Sequence, residues 1–164
     1  MALSGIIKKD FHKSGVFTLQ IEWSATQNIA NNTSTITAEL YLISNVDGGT
    51  ISSSVGKNGQ IVIDGTILLV EGVNVSLSSH QKKLLATKVH TITHNSDGTR
   101  NFNISGSLDI NVTLSGIYYG TISISEKTFT LDTIPRASTI ASFPNFIIGD
   151  SFSVTINRAS SSVT

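Results

Sequence analysis

The sequence predicts an all-β chain, an antiparallel two-sheet β-sandwich of the jelly-roll-like or immunoglobulin-like kind. Three observations carry that prediction: a long alternation of apolar and polar residues, glycine turns at short intervals, and abundant Ser and Thr in place of strong helix formers. The alternation spans residues 101–115, where Phe102, Ile104, Gly106, Leu108, Ile110, Val112 and Leu114 share one parity and Asn, Ser, Asp and Thr hold the other. Successive side chains of a strand point to opposite faces, so this segment has one buried face and one wet face.

Asn95, Ser96, Asp97 and Gly98 precede it as a tight-turn signal, because Asp-Gly supplies the positive φ angles of a hairpin loop. Residues 88–94 are therefore expected to pair antiparallel with the long strand. Earlier, Phe17, Leu19, Ile21 and Trp23 share a parity, as do Ile36, Ala38, Leu40 and Leu42, which makes two half-buried strands joined by a polar loop over 27–33. Asp47-Gly48-Gly49, Asn58-Gly59, Asp64-Gly65 and Glu71-Gly72 then punctuate short apolar runs, the rhythm of short strands joined by turns. Residues 121–131 form a last strand whose apolar parity changes between Ile124 and Phe129. A bulge near Glu126 and Lys127 accounts for that change. Helical periodicity is nowhere sustained, the nearest candidate being 80–86. Eight to ten short strands without parallel crossovers give the sandwich.

The chain's two prolines, Pro135 and Pro144, fall in one short window. Proline removes a ladder donor and fixes φ, so the window reads as a linker over 135–145 behind a sandwich module over 1–134. Phe152, Val154 and Ile156 alternate again within 146–164, a segment too short to bury a core. The expectation is the start of a second module in a longer, modular protein.

Composition excludes several partners. Charged residues make up 13% of the chain, about half the usual share, so uncharged polar groups must supply solubility. The formal net charge is zero and no Lys/Arg run exceeds two residues, which leaves no electrostatic footprint for nucleic acid or an anionic membrane. Cysteine is absent, so neither disulfides nor thiolate metal sites are available, and no cofactor is expected. No segment has the length of a membrane span, and residues 1–10 lack the apolar core of a signal peptide. Synthesis in a bacterial cytoplasm is the expectation.

No catalytic or metal centre is predicted. A glycosidase needs two carboxyl groups facing one another across a cleft. Asp47, Asp64 and Asp97 precede glycines in turns, and Asp109 lies on a wet strand face; Glu22 and Glu39 alone are placed to face each other on neighbouring strands. His90 and His94 share a strand face, but four strand residues span about 13 Å, too far for one ion. They read as polar positions flanking a hairpin turn, while His12 and His80 have no sequence neighbour of that kind. No G-x-S-x-G elbow occurs, and Gly48-Gly49 leads to no phosphate-binding motif. Sugar rings stack on exposed aromatics, and Trp23 is excluded by its core parity. Tyr41 stands on the polar parity of its strand, and Tyr118 and Tyr119 follow Gly116 at a turn, where one ring faces the core and the other solvent. The predicted ligand-binding surface combines one of these tyrosines with Asn101, Asn103 or Asn111 from the wet face.

An ordered series of segments carries a resemblance. Trp23-Ser24 with 28–33, Ile92-Thr93-His94-Asn95-Ser96-Asp97-Gly98-Thr99, Ile104-Ser105-Gly106 through Val112-Thr113-Leu114-Ser115-Gly116, and Leu131-Asp132-Thr133-Ile134-Pro135-Arg136-Ala137-Ser138 follow one another. Together they resemble the N-terminal module of a family of siphophage tail proteins from phages of streptococci and related Gram-positive bacteria. The resemblance covers nearly all of 1–138, and 149–164 resembles the start of the immunoglobulin-like modules that often follow. It implies a virion protein of the tail tip or baseplate, engaged in host adhesion, with other tail proteins as partners and homo-oligomers allowed. It transfers no site residues. Three roles follow: a non-enzymatic anchor within a receptor-binding device, a module binding host cell-wall polysaccharide, or an accessory domain of a tail-associated cell-wall hydrolase. An N-terminal module favours the anchor, since the free end of phage adhesins usually carries receptor specificity.

Overall fold

The computed structural model describes residues 2–136, together with the backbone of 139–142 and 155–157. In chain order the strands are β1 (Ser4–Phe11), β2 (Phe17–Asn28), β3 (Thr33–Ser44), β4 (Lys57–Ile63), β5 (Thr66–Val73), β6 (Lys82–Thr93), β7 (Asn101–Leu114), β8 (Ile117–Thr130), β9 (Thr139–Ser142) and β10 (Thr155–Asn157). Two four-stranded antiparallel sheets, ordered β1-β2-β3-β6 and β5-β4-β7-β8, face one another as a sandwich. No helix occurs among the described residues, and 82–86, within the nearest helical candidate, belong to β6.

Parity decides which side of each strand is dry. Along β3 every second residue is buried, from Ser34 through Ile36, Ala38, Leu40 and Leu42 to Ser44, and the alternation never breaks over 12 residues. Phe17, Leu19, Ile21 and Trp23 of β2 complete the inner face of that sheet. From the opposite sheet Phe102, Ile104, Leu108 and Ile110 of β7, with Ile61 and Ile63 of β4, meet them across the core. Aromatic clusters close the core at both ends. Trp23 packs edge-on against Phe102 and Phe129, each at 4.9 Å between ring centroids. At the other end Phe11 lies 5.7 Å from both Phe17 and Tyr119.

The bulge expected near Glu126 and Lys127 is present: Ile104 pairs with Lys127 and Gly106 with Ile124, so β8 carries one residue more than β7 between those pairs. The polar stretch 27–33 is shorter as a loop than its composition suggests, since β2 and β3 pair out to Asn28↔Thr33. Several strands are long, 14 residues each for β7 and β8. Near the C-terminus, β9 occupies four residues of the stretch read as a linker and pairs with β10 rather than with either large sheet. The rest of the expected second module, including Phe152 and Val154, lies outside the described residues.

The pairing expected for residues 88–94 is wrong. β6 pairs with β3, whereas β7 lies in the other sheet between β4 and β8. The turn signal is real, for Gly98 has φ 83° and its N–H donates to the Asn95 carbonyl at 2.9 Å. It reverses the chain as an arch between sheets. His94 holds the arch open: buried, it lies with Nδ1 2.7 Å from the Gly98 carbonyl and Nε2 2.7 Å from Ser34 Oγ. A carbonyl only accepts, so Nδ1 carries the proton and Nε2 accepts from the serine. Asn32 Nδ2 donates to the carbonyls of His94 and Asn95, tying the arch to the β2–β3 turn.

Candidate ligand-binding surfaces

Residues from distant parts of the chain surround a depression of about 600 Å³ at the sandwich end closed by Phe11 and Phe17. Its wall is built from the turn after β1, the segment 48–53, and the end of β7 with the turn that follows. Val16, Phe17, Ile51, Val112 and Leu114 are its apolar lining, and Thr50, Ser52, Ser53, Asn111, Thr113 and Ser115 supply hydroxyls and an amide. His12 reaches in from the β1–β2 turn. Its ring stacks on Phe17 at 5.9 Å, meets Tyr119 edge-on at 5.6 Å, and holds Nδ1 3.2 Å from the tyrosine hydroxyl.

A second polar arrangement lies on the outer face of the first sheet. Glu22 and Glu39 are directly paired across β2 and β3, as their spacing predicts. Both carboxylates are engaged: Lys82 Nζ and Gln20 Nε2 each donate to Glu22 Oε1 at 2.6 Å, and Tyr41 O–H donates to Glu39 Oε2 at 2.9 Å. Lys82 also sits 4.2 Å above the Tyr41 ring. The bond to Glu39 raises the Tyr41 pKa, with burial and the nearby negative charge adding to it, because ionisation would set a phenolate beside a carboxylate. The bond to Glu22 likewise raises the Lys82 pKa. A tyrosine held protonated in this way stabilises the fold below its unfolded pKa, and the contribution is lost as pH rises through the folded value. In absorbance titration, Tyr41→Phe is expected to remove a component that titrates above the ordinary phenol value; loss of a component at or below that value would contradict the geometry.

The predicted site residues do not form one surface. Asn111, Tyr118 and Tyr119 do come together beside the end depression, where Tyr118 O–H donates to Asn111 Oδ1 at 2.8 Å. As expected, one ring of the tyrosine pair turns inward, Tyr119 against Phe11 and His12, while Tyr118 is exposed. Asn101 and Asn103 lie at the far end of β7, at least eight strand residues or about 26 Å from Asn111. There Asn103 accepts from Thr128 Oγ1 at 2.7 Å. Tyr41 stands on the other sheet altogether.

The histidines divide as well. His94 is the buried pin of the arch rather than a polar flank of a hairpin; His90 Nε2 lies 3.3 Å from Thr66 Oγ1, and His80 Nε2 3.0 Å from Asp47 Oδ1. Sequence reasoning did not find His12, Ser52 or Thr113 as neighbours, because folding alone joins segments roughly a hundred residues apart. The tyrosine pair after Gly116 was the one signal that pointed to this end.

The four sheet edges differ in chemistry. β1 carries Lys8 and Lys9, β6 carries Lys82, Lys83 and Lys88, and β8 carries Lys127 beside its bulge. Lysines and bulges of this kind discourage another strand from pairing with an edge. β5 has neither lysine nor proline; its bulge and its one charge, Glu71, lie at its far end, and along 66–70 Ile67 and Leu69 are 58% and 59% exposed.

A search of the curated proteins found no match. Residues 15–164, nearly the whole chain, match the profile of a family described as siphovirus protein of unknown function, DUF859. The viral origin implied by the ordered segments around Trp23, His94 and Leu131 is thereby established, and the chain belongs to the DUF859 family of siphovirus proteins.

Proposed function

We propose that the chain is a non-enzymatic structural module of the siphovirus tail, set in the host-attachment device at the tail tip or baseplate. It anchors there by lending the free edge of β5 to a strand of a neighbouring tail protein. The observation that supports this reading is the contrast among edges: three carry lysines, and the fourth presents backbone groups flanked by Ile67 and Leu69. Strand addition gains affinity from main-chain hydrogen bonds and specificity from alternate side chains, and two outward apolar residues suit it. The family is one of siphovirus proteins, and in this reading the partner is a component of the same virion.

The test is incorporation. Phage carrying Ile67→Lys with Leu69→Lys is expected to assemble tails from which this protein is largely missing, while the purified double variant keeps its β-sheet circular dichroism. Normal incorporation would remove β5 from the interface. A wild-type dimer in solution that the double variant abolishes would replace the neighbouring protein by a second copy. The engaged state of both carboxylates also fits a non-catalytic role. Glu22→Gln with Glu39→Gln is expected to leave adsorption unchanged and to alter stability by no more than about 0.5 kcal/mol, as is usual for surface changes. Release of reducing ends from host cell-wall polysaccharide by the wild-type chain, lost in this variant, would overturn it.

A further inference from the structure

We infer that the depression beside His12 is a binding site for a neutral saccharide. Its size, about 600 Å³, falls within the usual range for small-molecule sites. The lining contains no Asp, Glu, Lys or Arg. Charges stand at its edge, where Lys57 Nζ donates to the Asn111 carbonyl at 3.2 Å and Asp47 precedes Gly48. A charged ligand would therefore lose hydration for little counter-charge from the lining itself, which disfavours phosphates, uronates and amines. Hydroxyls on Thr50, Ser52, Thr113 and Ser115 both donate and accept, which matches sugar hydroxyls, while the Asn111 amide is engaged by Tyr118 and the Asp109 carbonyl. Phe17, Ile51 and Val112 form its buried floor, and the half-buried Val16 and Leu114 are the apolar groups left to meet the C–H faces of a ring.

His12 gives the site a fixed polar contact. The side chain is 8% exposed, its ring is held by Phe17 and Tyr119, and Nδ1 is occupied by the tyrosine hydroxyl. Nε2 makes no hydrogen bond to the described residues. Nε2 is not sealed from solvent, so it is available to a ligand in the depression that His12 lines. The backbone is strained to put it there: His12, Lys13 and Ser14 have φ 58°, 39° and 60° in succession, and Asn111 and Ser115 have φ 44° and 47° on the opposite wall. Asn32, Asp64 and His80 adopt such angles in turns elsewhere, so what distinguishes this end is the run of three in succession beside the depression. Tyr118, exposed and bonded to Asn111, stands as an aromatic platform at the margin.

The site does not depend on strand addition at β5, so it is tested on the purified full chain. Chitobiose, maltose, lactose and methyl α-rhamnoside, with glucuronic acid and inorganic phosphate as charged controls, are titrated into isotopically labelled protein and followed by amide chemical shifts. At least one neutral sugar is expected to give saturable shifts centred on residues 12–16, 50–53 and 111–115. Ser52→Ala with Thr113→Val changes two exposed side chains and should weaken that binding about three- to tenfold per lost hydrogen bond, with an unchanged spectrum elsewhere. His12→Phe keeps an aromatic ring and should weaken it comparably; where that variant fails to fold, the Ser52/Thr113 pair decides. Absence of saturable shifts with every neutral sugar would overturn the inference. So would stronger binding of phosphate or glucuronic acid, or unchanged affinity in the Ser52/Thr113 variant. Because that variant leaves β5 intact, it should enter virions normally, and loss of sugar binding is thereby separated from loss of anchoring.

Discussion

Trp23→Ala is expected to destabilise the sandwich by about 3–5 kcal/mol, the usual cost of deleting a large aromatic side chain from a packed core. The indole is 3% exposed and is the centre of the cluster with Phe102 and Phe129, so its removal leaves both rings without their edge-on partner. Relaxation cannot fill the space easily. Gly5 lies directly above the ring, where a Cβ would come within 2.7 Å of Nε1, and that strand position has no side chain to move inward. Nε1 itself has no hydrogen-bond partner. Trp23→Phe therefore loses volume but no polar contact, and should cost markedly less than the alanine variant. Urea unfolding of both variants measures the difference; an alanine cost below about 1.5 kcal/mol would show that the cluster does not carry the weight assigned to it. With total stabilities of domains near 5–15 kcal/mol, Trp23→Ala also consumes much of the margin.

His94→Leu is expected to cost about 1–3 kcal/mol by a different route. Leucine keeps the volume roughly constant but leaves Ser34 Oγ buried without its partner, while the Gly98 carbonyl loses one of its two donors and keeps the Ile134 N–H at 3.0 Å. The effects on the two groups are separable. In Ser34→Ala the histidine retains its bond to Gly98, so that variant should be milder, and the double variant Ser34→Ala/His94→Leu should cost less than the sum of the two. Additive costs in the double-mutant cycle would mean that the histidine and serine act independently. The arch has little tolerance elsewhere, since a Cβ on Gly98 would fall 2.0 Å from the Ile134 carbonyl at a φ of 83°.

These two residues also mark what the amino-acid order makes legible. Trp23 declares its burial because Phe17, Leu19 and Ile21 share its parity, and a single local rule decides the matter. The β8 bulge is legible for the same reason, as a change of parity. β1 escapes, because only Ile7 and Phe11 of its eight residues are buried and no alternation builds up on an edge strand flanked by lysines. His94 escapes too. Asn95 to Gly98 announces that the chain reverses, but a reversal within one sheet and an arch between sheets use the same turn residues. What separates them is Ser34, sixty residues earlier, and nothing local reports on that contact. The end depression is illegible for a similar reason, since its hydroxyls come from three loops whose individual compositions are ordinary.

The bridge between Ala2 and Leu131 bears on how the module responds to being pulled. Ala2 N–H donates to the Thr130 carbonyl at 3.0 Å, Leu131 N–H donates to the Arg100 carbonyl at 2.9 Å, and Ile134 N–H donates to Gly98 at 3.0 Å. The polypeptide thus enters and leaves at the same end of the sandwich, the end of Trp23 and His94. Tension applied between residues 2 and 134 runs through these few bonds and not along the length of the long strands. The first element to give way under load is that fastening, while the opposite end, with His12 and its hydroxyls, lies off the line of force.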